Sequence, residues 1–129
     1  MNEGGLFCVV RSLVSEKLIE VNTRLTRLVY PSNTCNSPSL TSFIIEKYPY
    51  LESIEVGDDC FMYVKGVKIA DDVSLKSLII GNNSFTNHKY YHGEDSSRSF
   101  SLSNCPQLKS IEIGLFSFSD FSRFSVSSM

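Results

Sequence analysis

The sequence predicts a mostly β fold, a short solenoid of stacked parallel strands with few or no regular helices apart from an N-terminal cap. Three observations predict it. An eleven-residue pattern, L-x-S-[IL]-x-[IV]-G-x-x-[SC]-F, occurs without gaps at Leu51 to Phe61, Leu75 to Phe85 and Leu108 to Phe118. A pair of apolar residues recurs in step with it, as Phe43 and Ile45, Val67 and Ile69, Phe100 and Leu102, then Phe124 and Val126. Within both patterns apolar and polar residues alternate with period two, the mark of a strand with one buried face. Turns or short 3₁₀ pieces are expected on the far side of each repeat, since the segments leave little space for helices.

The first 24 residues fit no repeat and read as a cap region, with Ser12 or Ser15 opening a short helix that runs to Ile19. Residues 25–129 carry about four repeats. The first is divergent: Leu25, Leu28 and Tyr30 hold the register, but Pro31 stands where later copies have Gly, and Cys35 where they have Phe. The next copies each close their strand at Gly57, Gly81 or Gly114, a turn position, followed by Asp58-Asp59 or Asn82-Asn83 in the first two. The spacing from Phe43 to Val67 is 24 residues, from Val67 to Phe100 33, and from Phe100 to Phe124 again 24. The longer interval places an insertion loop at 86–99. The final repeat is incomplete, since Phe124 and Val126 open a copy whose leading Leu is not reached. No one repeat can bury its apolar face alone, so stacking must align these residues in columns.

At 129 residues and 14.5 kDa the chain has room for one domain with a real core. A net charge of −2 and pI of about 5.6 weigh against nucleic acid, which calls for a basic surface. No apolar run has the length of a membrane helix and no secretory signal is visible, so an intracellular, cytoplasmic product is expected. A secreted or surface location is the alternative if the chain is a fragment. Cys8, Cys35, Cys60 and Cys105 form no CxxC pair and read as reduced, half-buried thiols.

The outward strand positions form two columns, Arg27, Ser53, Ser77, Ser110 and Val29, Glu55, Ile79, Glu112. They are the candidate partner-binding face: Arg27, Ser53, Glu55, Ser77, Ile79, Ser110 and Glu112. Glu52, Lys76 and Lys109 read as a cross-strand charge column. In the insertion, Tyr90, Tyr91 and His92 are a candidate loop anchor. His88 and His92 lack the helix that would bring them onto one metal, because Gly93 and polar flanks disfavour it. Asp58-Asp59 and Asp71-Asp72 are adjacent acids of the kind that turns keep solvated, so no catalytic residue is assigned. No phosphate loop, nucleophile elbow or HExxH occurs, and no cofactor or metal is expected. Asn82-Asn83-Ser84 matches a glycosylation sequon but falls on a repeat turn and reads as chance. Phe116, Phe118, Phe121, Phe124 and Val126 crowd the C-terminus and read as an uncapped end through which the chain self-associates.

The 24-residue unit resembles a leucine-rich repeat. Its G-x-x-S-F turn and the approach Asn104-Cys105-Pro106-Gln107-Leu108 are similar to the BspA-like, or bacterial surface antigen A type, class that is expanded in protists. The likeness covers roughly Leu25 to Val126. It implies a solenoid that binds other proteins through its strand-bearing face, with no particular ligand. The expected function is therefore a non-catalytic protein–protein interaction module. The alternatives are an adhesion or antigen fragment of a larger secreted array, and an enzyme or metal site built on the insertion loop.

Overall fold

The computed structural model describes residues 8, 12–13, 18–19, 24–87 and 95–127. Ten strands follow in order among the described residues: β1 Ser12–Leu13, β2 Leu18–Ile19, β3 Arg27–Tyr30, β4 Ser42–Glu46, β5 Ser53–Val56, β6 Gly66–Ala70, β7 Ser77–Ile80, β8 Asp95–Ser103, β9 Ser110–Ile113 and β10 Phe121–Ser127. No helix occurs among the described residues. The chain is mostly β, and from β3 onward consecutive strands go alternately to two four-stranded parallel sheets, β3-β5-β7-β9 and β4-β6-β8-β10.

The register follows the sequence pattern. Leu28, Ile54, Leu78 and Ile111 lie side by side across the first sheet, as do Tyr30, Val56, Ile80 and Ile113. In the second sheet Phe43, Val67, Phe100 and Phe124 align, and Ile45, Ile69, Leu102 and Val126 beside them. A shift by one residue would turn the buried members of these rows, from Leu28 to Ile80 and from Phe43 to Leu102, to solvent, so burial holds the register of the inner strands. Both rows of each sheet face one shared core. The far side of each repeat is thus a second sheet rather than the turns or short 3₁₀ pieces that the repeat length suggested.

The turns between strands repeat as closely as the strands do. Asn33, Asp59, Asn83 and Phe116 share a left-handed backbone, with φ between 57° and 64°. Cys35, Phe61, Phe85 and Phe118, and on the other side Lys47, Asp71 and Asn104, are left-handed too, with φ between 52° and 64°. Asn and Asp tolerate this region; Phe61, Phe85 and Phe118 hold it because their rings are locked in the core. Phe61, Phe85 and Phe118 stack face to face at 4.8 and 4.9 Å, nearly parallel, which matches the spacing of neighbouring strands.

A side-chain ladder fastens one turn to the next. Asp58 N–H donates to Ser32 Oγ, Asn82 N–H to Asp58 Oδ1, and Leu115 N–H to Asn82 Oδ1, each at 2.8–2.9 Å. Beside it, Cys60 N–H donates to Ser84 Oγ at 3.1 Å and Ser84 N–H to Ser117 Oγ at 2.9 Å. These side chains supply acceptors to backbone N–H groups where the strands have ended, and at Cys60 the donor so met is buried. The ladder needs close approach: a Cβ on Gly81 would stand 2.8 Å from the Gly57 carbonyl oxygen.

Several expectations need correction. The region expected to form a capping helix from Ser12 or Ser15 to Ile19 instead contains an antiparallel pair, Ser12 opposite Ile19 and Leu13 opposite Leu18. Cys8 and Cys35 form a disulfide, so two of the four thiols are not reduced; Cys60 and Cys105 are free and buried. Cys35 occupies the Phe column of the divergent first repeat, where the bridge stands in for a stacked ring. The insertion expected as a loop at 86–99 is not loop throughout. Its end, from Asp95, is strand β8, and a register irregularity against Phe121 and Arg123 absorbs extra residues there.

Candidate functional site

The two outward columns are real rows on the first sheet. Arg27, Ser53, Ser77 and Ser110 are directly paired in succession, and so are Val29, Glu55, Ile79 and Glu112. Each is partly or well exposed because its neighbours in sequence take the inward positions. The result is a flat surface with short hydroxyls in one row and mixed acidic and apolar side chains in the next.

Charge on this surface is locally tied. Arg27 spans both oxygens of Glu55 at 3.2–3.3 Å. Its side chain is 62% exposed and that of Glu55 35%, so water screens the pair and its net worth is under about 1 kcal/mol. Lys76 lies 3.9 Å from Glu52, the cross-strand contact the charge column predicted, and Lys68 lies 3.5 Å from Glu46 on the other sheet. Towards the C-terminal edge Glu112 has no ion-pair partner among the described residues.

A polar hollow of about 380 Å³ opens where the left-handed turns stack, lined by Asn33, Asn36, Asp59, Met62, Asn83, Thr86 and Asn87. Asn36 spans two turns, donating to the Asp59 carbonyl and accepting from Met62 N–H. Amides in this arrangement serve the backbone. Among the described residues no three His, Cys, Asp or Glu side chains converge as metal ligands.

Several chemistry-bearing groups make internal contacts. Cys60 Sγ donates to the Pro31 carbonyl at 3.1 Å. Burial pushes the Cys105 thiol up, away from the nucleophilic thiolate. Asp72 corrects the expectation that turn acids are solvated: it is fully buried and its Oδ1 accepts Tyr48 N–H at 2.9 Å. Desolvation pushes its carboxyl up to about 8. A raised carboxyl is what acid catalysis asks for, yet Asp72 lines neither the hollow at Asn33 and Asn83 nor the one formed by Arg24, Thr26, Tyr50, Glu52 and Ser74. The sequence held a signal for this burial. Asp72 shares a repeat column with Tyr48 and Cys105, both fully buried.

Sequence reasoning also missed a buried ion pair. Arg98, inside the insertion expected to be a solvated loop, is 3% exposed and lies 3.7 Å from fully buried Asp120. It donates to the carbonyls of Met62 and Val64 at 3.2 and 3.0 Å and sits over the Phe121 ring. Asp120 in turn accepts Asn87 N–H at 3.1 Å. The pair clamps the insertion onto the core. Tyr90, Tyr91 and His92 lie outside the described residues.

The C-terminal cluster divides. Phe118 and Phe121 are buried, 3% exposed each, and belong to the core rather than to a contact surface. Phe116, Phe124 and Val126 are 40–53% exposed, and Ile111, Ile113 and Leu115 join them at 43%, 43% and 71%. Among the described residues β9 pairs only with β7, and β10 only with β8. One end of both sheets is therefore an open, apolar edge.

No protein family, curated protein or solved structure matches the chain. No helix among the described residues is long and apolar enough to cross a membrane.

Proposed function

We propose that the chain is a short leucine-rich-repeat solenoid of the BspA-like type and acts as a non-catalytic protein–protein interaction module. One observation carries the reading: the register that sets Arg27, Ser53, Ser77 and Ser110 in one straight row and Glu55, Ile79 and Glu112 in the next. A surface held by two hydrogen-bonded sheets and a ring stack loses little freedom on binding, so a partner meets it pre-formed. Small serines let a partner's backbone approach, while Ile79 and the acids give it something to choose.

The disulfide favours a second location for the same module. Bonded Cys8 and Cys35 fit an oxidising compartment, which supports a surface or secreted repeat protein over the cytoplasmic product. Alkylation of freshly isolated, denatured protein followed by mass analysis separates the two: all thiols blocked supports the cytoplasmic location, Cys8 and Cys35 left unblocked the exterior one.

The binding reading is tested by photo-cross-linking. A photoreactive residue at Ser77 should capture a discrete protein partner, and one at Lys68 on the opposite sheet should not. Equal capture from both positions, or none from Ser77, would refute the strand face.

A further inference from the structure

The apolar columns that run through both sheets are sealed at one end and open at the other. In the first full turn Leu28, Tyr30, Phe43 and Ile45 are at most 2% exposed. Strand β1 approaches β4 there, and the Cys8–Cys35 bridge holds the same end. In the last turn the equivalent residues Ile111, Ile113, Phe124 and Val126 are 43–53% exposed. A head-to-tail chain of copies would therefore find none of these apolar residues uncovered at the first turn.

The last turn also differs chemically from the inner ones. At the ladder position Ser32, Asp58 and Asn82 each offer a side-chain oxygen to the next turn's N–H. Leu115 holds that position in the last turn, 71% exposed, and has no oxygen to offer. The end is thus not built to receive another turn in the same way. It offers apolar surface and two strand edges instead.

Charge then selects what fits. Glu112 stands on the outer face of β9, between inward Ile111 and Ile113. Arg123 stands on the outer face of β10, aligned with Ser99 beside inward Phe124. Neither has an ion-pair partner among the described residues. Consider two copies meeting at their open ends with apolar columns joined. If β9 meets β9, Glu112 faces Glu112 and Arg123 faces Arg123. If β9 meets β10, Glu112 lies on the same face as Arg123 of the partner, twice by symmetry. Opposite charges across paired strands stabilise, and like charges oppose.

We propose that this end is the interface of a closed two-fold dimer, in which β9 of each copy pairs with β10 of the other. The interface is isologous, so it uses up the β9 and β10 edges of both copies and closes at two, while the apolar residues of the first turn are already buried. It uses the β9–β10 end of the sheets rather than the serine row, so a partner can still approach the strand face. The inference goes beyond the proposed function: its failure leaves the face reading standing, and failure of the Ser77 cross-link leaves the dimer standing.

Sedimentation equilibrium of the full chain across a concentration series tests it, with circular dichroism confirming the fold of each variant. The wild type should dimerise. Glu112→Arg should weaken the dimer roughly 10- to 100-fold, and Glu112→Arg with Arg123→Glu should restore it. Leu115→Glu, at the most exposed apolar position, should weaken it at least about 100-fold. A folded monomer at about 100 µM, a concentration at which dimers of micromolar affinity are formed, would overturn the proposal and assign the end to another occupant, such as a further turn of chain or a different protein. So would a dimer indifferent to Glu112→Arg, or oligomers that keep growing with concentration.

Discussion

Replacing Asp72 with Asn should reverse the sign of its effect between acid and mildly alkaline pH. In the folded protein the carboxyl titrates near 8, against 3.8 when exposed. Below about pH 4 it is protonated in both states and contributes no pH dependence. As pH rises through the window from about 4 to about 8, the unfolded carboxyl ionises and the buried one does not. The unfolded state is favoured by a factor of about ten per pH unit, which reaches on the order of 4 kcal/mol by about pH 7 and levels off above about pH 8. Asn keeps the Oδ1 acceptor for Tyr48 N–H, 2.9 Å away, and cannot ionise. In place of Oδ2, which has no hydrogen-bond partner among the described residues, it buries an amide NH₂ at a cost of about 1–3 kcal/mol. Asp72→Asn should therefore be less stable than wild type at about pH 4 by roughly that amount and, since the wild-type penalty grows to about 5 kcal/mol by about pH 8, more stable there by about 2–4 kcal/mol. Urea denaturation followed by circular dichroism at about pH 4, 6 and 8 reads both. A wild-type-to-variant difference that stays constant across the three would refute the burial of this acid.

Other perturbations have definite expectations. Gly81→Ala drives a Cβ against the Gly57 carbonyl and should lower stability by about 2 kcal/mol, while Gly66→Ala, with nothing within 4 Å, should change it by less than about 0.5 kcal/mol; urea midpoints compare them. Arg98→Met strands buried Asp120 and should cost about 3–5 kcal/mol, with Asp120→Leu in addition recovering part of it, again by urea denaturation. Reduction of the Cys8–Cys35 bridge, 27 residues apart, should cost about 2–4 kcal/mol, and Cys35→Ser should melt at the same temperature with and without reductant.

The strands and their register were legible because stacking imposes the same demand on every turn. Inward positions cannot vary freely: Ile54, Leu78 and their neighbours must be apolar on alternate residues, and Gly57, Gly81 and Gly114 must lack a side chain where turns touch. The outward rows followed from the same alternation. What escaped the pattern is what occurs once. Arg98 and Asp120 pair between a stretch with no counterpart in other repeats and the last turn. The bridge from Cys8 joins a non-repeating segment to a repeat column, and cysteine spacing does not encode a partner. Asp72 was misread because adjacent acids look solvated in isolation; its column, shared with Tyr48 and Cys105, is buried throughout. The crowded Phe residues pointed to an open end, and the repeat column shared with Phe61 and Phe85 points Phe118 inward, but chain position did not reveal that Phe121 also turns inward while Ile111 and Ile113 are left uncovered.

The strand face and the dimer edge both depend on equivalent positions lying side by side in parallel strands. Nuclear Overhauser contacts on labelled protein test this most directly. Backbone contacts should link Ser53 to Ser77 and Ser77 to Ser110 in the first sheet, and Val67 to Phe100 and Phe100 to Phe124 in the second. Contacts displaced by one residue, or antiparallel patterns between these segments, would contradict the stacked-strand architecture and both surfaces built on it.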